Sequence, residues 1–264
     1  MKTLAIVALV SAVFYDIGWN ADIREVPSVI HTSTRATHIP TRNDVDEFDE
    51  RSGGTYGSLT DVRDGKTYKT VKIGSQVWMA ENLNYDNEYN EGTARSYCYE
   101  DDPAMCGKYG RLYTWAAAMD SATTGCGVSY GKTCSATKPV RGVCPEGWHL
   151  PDPTEWNALE KFVADSLYNG KTDSVGYALK SKSGWTEYDG KTGGSDYFGF
   201  GALPAGGRTS SGDFSGFQLC AWFWSPTESN LGNAYFWKLE YQHTRFSATD
   251  FYKNQANSVR CVKD

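Results

Sequence analysis

The chain has 264 residues, 40% of them apolar and 22% charged, and a formal net charge of −6. A chain of this length can bury most of its apolar surface, so it needs no metal or partner merely to fold. The acidic balance, with no Lys/Arg run, leaves nothing to attract a phosphate backbone, and nucleic acid is not an expected partner. Met1-Lys2-Thr3 precedes an apolar run from Leu4 to Phe14, broken only by Ser11. About eleven residues are too few to cross a bilayer as a helix. Residues 1–20 read as a secretory signal peptide, although no A-x-A cleavage site follows. The rival readings are an apolar segment that stays attached and docks in an assembly, and an ordinary buried segment. Residues 21–56 hold Ser, Thr, His and the acidic run Asp44 to Glu50 without hydrophobic periodicity, which predicts a linker or extended arm.

The folded body is expected over 57–264. Arg63-Asp64-Gly65-Lys66 is a hairpin turn signal, with strands over Tyr68–Ile73 and Gln76–Ala80 and punctuation at Gly74-Ser75. A short helix is predicted across Thr114 to Asp120. The clearest helix start is Asp152-Pro153, where Asp152 caps, Pro153 fits the first helical position and Glu155 completes a capping box. Trp156, Leu159, Val163 and Leu167 form one apolar stripe behind it, which predicts core, and Asn169-Gly170 ends the helix. Beyond Gly193 the pattern is strand and turn. Ala221–Trp224 reads as a short aromatic strand and Asn230–Asn233 as a turn. Tyr235, Trp237, Leu239 and Tyr241 alternate with Phe236, Lys238, Glu240 and Gln242, the signature of a half-buried antiparallel strand. Phe246–Phe251 and Ser258–Val262 complete a meander.

All seven cysteines lie in the body, and no C-x-x-C occurs among them. In an exported chain they read as disulfides, with Cys98 to Cys106, Cys126 to Cys134, and Cys144 to Cys261 the expected pairs. The short pairs would each close a polar loop, and the long one would clasp the body. Cys220 is left over, either as a small buried thiol, an intermolecular partner or a nucleophile.

Three groups of residues were weighed as sites. His149 sits just before the helix cap, with Asp152 and Glu155 close in sequence, and serves either in loop packing or as a catalytic imidazole. Gly127-Val128-Ser129-Tyr130-Gly131 matches G-x-S-x-G formally, but lies in a Gly-rich polar loop rather than a strand-to-helix turn. Trp222, Trp224, Tyr235, Trp237 and Tyr241, beside Glu228, Asn230 and Gln242, form an aromatic-and-polar set suited to a sugar face, with Trp222, Trp224, Glu228, Asn230 and Trp237 the five expected to meet the ligand, set against the alternative that such aromatics fill the core. The expected function is an exported binding or adhesion module at the outer cell surface, with polysaccharide or a cell-surface protein as partner. The alternatives are a self-associating subunit of an extracellular assembly or filament, and a hydrolase. No cofactor is implied, and the sequence leaves calcium open.

Several long stretches carry a resemblance. They are Val71-Lys72-Ile73-Gly74, Gln76-Val77-Trp78-Met79-Ala80-Glu81-Asn82-Leu83-Asn84-Tyr85, Tyr109-Gly110-Arg111-Leu112-Tyr113-Thr114-Trp115, Arg141-Gly142-Val143-Cys144-Pro145-Glu146-Gly147-Trp148-His149-Leu150-Pro151, and Ser258-Val259-Arg260-Cys261-Val262-Lys263-Asp264. In this order they resemble the Fibrobacter succinogenes major paralogous domain family, found in exported proteins, often lipoproteins, and without a settled activity. No anchor cysteine follows the apolar run here, which departs from the lipoprotein pattern. More distantly, Gly147-Trp148-His149-Leu150-Pro151 and the terminal Val259-Arg260-Cys261 resemble the C-type-lectin-like and formylglycine-generating-enzyme group. That likeness implies an α+β fold of loop-rich, mixed antiparallel sheets with two short helices, braced by disulfides. Glu228-Ser229-Asn230 is not the calcium-lectin signature, and Cys220 lacks the close cysteine partner of those enzymes, so neither chemistry carries over.

Overall fold

A computed structural model describes residues 54–87, 93–127 and 133–264. The apolar run at Leu4–Phe14, the acidic arm at 44–50 and Val128 to Gly131 of the G-x-S-x-G match lie outside the described residues. The first strand, β1 (Thr55–Thr60), pairs with β2 (Thr67–Ile73) across the expected hairpin, and β3 (Gln76–Met79) follows in antiparallel register. Gly65 takes φ +74° at the turn, a backbone that a side chain resists. Arg63 closes the turn on the buried Asp61 carboxylate through Nε at 2.8 Å and Nη2 at 2.6 Å, and its guanidinium covers the Tyr85 ring.

The chain continues through β4 (Ser96–Tyr97), α1 (Pro103–Tyr109), β5 (Leu112–Thr114), α2 (Trp115–Ala118), α3 (Ser121–Thr124) and β6 (Trp148–His149). Next come α4 (Pro153–Tyr168), α5 (Val175–Leu179), β7 (Gly207–Arg208), β8 (Phe214–Ser215), β9 (Cys220–Glu228), β10 (Asn233–Glu240), β11 (Ser247–Tyr252), β12 (Ala256–Asn257) and β13 (Val262–Lys263). They build three antiparallel sheets, ordered β1-β2-β3-β13-β6, β11-β10-β9 and β4-β5-β12-β7-β8. The fold is therefore α+β, sheet-rich and loop-rich. Among the described residues it has five helices rather than two, and α4 is 16 residues long rather than short. None of them is long and apolar enough to cross a membrane.

Local chemistry explains the elements that the sequence announces. Asp152 accepts from the Thr154 and Glu155 amides while Glu155 Oε2 accepts from the Asp152 amide at 2.9 Å, so both halves of the capping box form. Trp156, Leu159 and Val163 of α4 are fully buried, and Trp156 stacks on Trp237 at 5.8 Å and on Phe223 at 5.9 Å. The three expected disulfides are present: Cys98–Cys106, Cys126–Cys134 and Cys144–Cys261. Cys106 lies on α1 rather than in an irregular loop, because Asp102 caps that helix through the Ala104 amide and Pro103 starts it.

One expectation about the late strands changes. The β9–β10 pair buries apolar residues on both faces rather than on one. Ala221, Phe223, Trp237 and Leu239 face the core built on α4 and α5, while Trp224, Ala234 and Phe236 face a second core built on Trp115, Met119 and Val259. The pair thus lies between two cores, and its aromatic alternation fills both. Strand β9 also runs four residues past Trp224, because its pairing with β10 shifts register between Ala234 and Phe236 and Pro226 sits in the shifted stretch.

Candidate functional site

The five residues expected to meet a ligand do not form one exposed surface. Trp224 is 0% exposed and Trp237 is 3% exposed, each held in a different core. Trp224 Nε1 also donates to the Tyr113 carbonyl at 2.7 Å. Trp222 is half-buried against the Phe236 ring and the backbone at Gly207, where an added Cβ would meet its indole. Glu228 is engaged internally: Oε1 pairs with Lys253 Nζ at 2.5 Å and Oε2 accepts from the Cys134 amide at 2.9 Å. That ties the second disulfide loop to the end of β9. Asn230 Oδ1 accepts from the Gly232 and Asn233 amides at 2.9 and 3.0 Å, which closes the β9–β10 turn. These polar groups serve the fold.

The turn instead supports a different aromatic group beside it. Tyr235 is 36% exposed, Phe251 45% and Tyr252 47%. In the β10–β11 register Tyr235 opposes Asp250 and Asn233 opposes Tyr252. Period-two alternation puts those four side chains on one face, at the end where the strand pair passes beyond the core that covers Trp237. Phe251 packs edge-on to Tyr252 at 4.9 Å from the neighbouring position. Asp250 is held in place: Oδ2 accepts from Ser229 Oγ at 2.7 Å and from Asn233 Nδ2 at 3.1 Å. The Ser229 and Asn233 hydrogen bonds keep its carboxyl below the usual carboxylate range, so it is ionised at neutral pH. Strand β11 is the edge of its sheet, so this face is open to solvent on one side. The signal for it was present in the sequence, as Tyr235 two residues before Trp237 and the Asp250-Phe251-Tyr252 triplet. Their juxtaposition needed the register.

A concavity of about 440 Å³ lies at the start of α4, between Pro139, Val140, Leu150 and Pro226, with His149 and Glu155 in its wall. His149 Nδ1 lies 2.6 Å from Asp264 Oδ1 and Nε2 lies 2.7 Å from Glu155 Oε1. Burial alone would lower the imidazole pKa, but the hydrogen bonds and charges of Glu155 and Asp264 raise it above its ordinary value. With both ring nitrogens engaged by carboxylates, the imidazole has neither nitrogen free for a ligand in this arrangement. Its place is a clasp between α4 and the last strand. Because the folded pKa is raised, the clasp contributes fully below the ordinary value of 6.5 and is lost as pH rises through the folded pKa. Glu155 and Asp264 stay 27% and 51% exposed, which limits the expected contribution to about 1 kcal/mol. Thermal unfolding from about pH 5 to about pH 9 should show wild type losing its advantage over His149→Gln as pH rises; a gap that does not change with pH would contradict the clasp.

The remaining thiol, Cys220, is free and partly buried. Burial, with Glu240 nearby, pushes Cys220 up to about 11, and burial brings the neighbouring Lys180 down to about 8. Lys180 Nζ is itself spent on the Glu240 and His243 carbonyls, at 2.5 and 2.7 Å. Among the described residues no cluster of three or more His, Cys, Asp or Glu is placed to hold a metal ion.

Three antiparallel sheets around three buried clusters, closed by three disulfides and with polar side chains spent on loops, define a disulfide-braced α+β domain that presents an aromatic face. A family model described as the Fibrobacter succinogenes major domain matches residues 71–263, and the chain belongs to that family. No curated protein and no solved structure matches the chain significantly.

Proposed function

We propose that the chain is an exported cell-surface binding module of C-type-lectin-like build that holds carbohydrate on the Tyr235–Tyr252 face. The observation that carries this reading is the pair of solvent-facing rings, Tyr235 and Tyr252, that share one face with the preorganised Asp250 carboxylate at the edge of a sheet whose Trp224 and Trp237 are buried. Sugar rings present apolar C–H faces that pack on such rings, and hydroxyls that seek fixed hydrogen-bond partners. Three disulfides in a chain with an apolar N-terminal run support export. A last strand tied by Cys261 to Cys144, ahead of the main helix, supports the lectin-like build.

Retention on insoluble polysaccharide tests the reading. Tyr252→Ala should weaken retention about tenfold, equivalent to about 1.4 kcal/mol of lost ring contact. Trp222→Phe, away from the face, should leave it unchanged. Wild-type protein that elutes from every polysaccharide with the void volume would overturn the proposal.

A further inference from the structure

The Tyr235–Tyr252 face carries one feature that a neutral sugar does not require. Asp250 is ionised, shares one face with Tyr235 and Tyr252, and has no ion-pair partner among the described residues. The other charges nearby are already matched, Glu228 by Lys253 and Lys238 by Glu240. The face therefore presents one unmatched negative charge beside two exposed tyrosines. A neutral ligand laid across it would offer that carboxylate only hydroxyl donors, which replace its lost water without neutralising its charge. An organic ammonium group reverses the balance: it pairs with the carboxylate and is attracted by the ring faces in the same position.

We infer that this face selects glycans bearing a free, protonated amine, that is, deacetylated amino-sugar polymers, with Asp250 as counter-charge and Tyr235 and Tyr252 as the ring walls. The inference rests on the carbohydrate reading above and narrows it by charge. Ser229 and Asn233 are positioning residues: they fix which way the carboxylate points and leave Oδ1 without a side-chain partner.

The test compares, by calorimetry on the full chain at mildly acidic pH, three probes of equal length: glucosamine oligomers, their fully N-acetylated counterparts and a neutral β-glucan. The free-amine oligomer should bind about tenfold tighter than the acetylated one, and added salt should erode that advantage, because the pair is exposed. Asp250→Asn keeps an acceptor for Ser229 and Asn233 while removing the charge, and should bring the two affinities together. Tyr252→Ala should weaken all binding. Equal affinity of wild type for the free and acetylated oligomers would overturn the charge selection and leave the carbohydrate reading standing. Absence of binding to all three probes, with wild-type unfolding behaviour retained, would overturn both.

Discussion

Replacing Cys144 and Cys261 together with alanine should lower stability by about 5 kcal/mol, the largest effect expected of any disulfide here. The bond joins positions 117 residues apart, so in the unfolded chain it closes a loop that spans most of the body. The other two bonds join positions only eight residues apart. The same loop-entropy relation assigns each of those about 2.5 kcal/mol. The geometry adds a second reason for the ranking. Cys261 directly precedes β13, a strand of two residues whose partners are β3 on one side and β6 on the other. So short a strand contributes few ladder bonds, and the covalent link keeps it inserted between β3 and β6. Both cysteines are fully buried in the second core, so alanine also leaves a small cavity. Urea unfolding of the double variant, against wild type and against Cys98→Ala/Cys106→Ala, measures the difference. A loss no greater than that of the short-loop pair would refute the long-loop account.

The parts of the fold legible in the sequence are those decided by residues close to one another. Asp152, Pro153 and Glu155 announce α4 because a cap acts over three residues, and Asp64-Gly65 announces the first hairpin because the turn needs positive φ. The short cysteine pairs follow from two equal spacings of eight, and the long pair joins a mid-body cysteine to one near the end of the chain. Helix α1 was just as legible, since Asp102-Pro103 repeats the Asp152-Pro153 pattern, but the surrounding Asp and Gly residues favoured a loop reading.

The candidate site was legible only in part, for a physical reason. Alternation along Tyr235–Tyr241 fixes which side chains share a face, but not whether a distant part of the chain covers that face. Here α4 covers Trp237 through Trp156, and β5 with α2 covers Trp224 through Tyr113 and Trp115, from residues more than 70 positions away. Glu228 and Asn230 are polar in the sequence whether they meet a ligand or a backbone amide. The pairing of Tyr235 with Asp250 depends on how β11 returns along β10, and nothing local sets it. Tertiary packing therefore claimed the tryptophans and left the tyrosines to the solvent.

The same packing makes Arg260 the most demanding side chain in the structure. It is fully buried beside the Phe200 and Phe223 rings, with no carboxylate in hydrogen-bond contact. Burial lowers its pKa to about 9 while Asp196 and Glu81 act in the opposite sense, so it stays charged at neutral pH. Its donors are distributed over four acceptors: Nε to Asn82 Oδ1 at 2.7 Å, Nη1 to the Met79 and Phe200 carbonyls, and Nη2 to the Gly201 carbonyl at 2.9 Å. Asn82 in turn donates to the Tyr109 carbonyl and to Ser258, so one guanidinium links β3, the Phe200–Gly201 loop and the approach to β13. Arg260→Met fills much of the volume but strands those acceptors in the core, and should cost about 3–5 kcal/mol. Arg260→Lys should recover little, because an ammonium lacks the planar fork that reaches acceptors in several directions. Urea titration that shows the midpoint falling at unchanged slope would assign the loss to the native state. A Lys variant as stable as wild type would show that charge alone, rather than the fork, holds the three segments together.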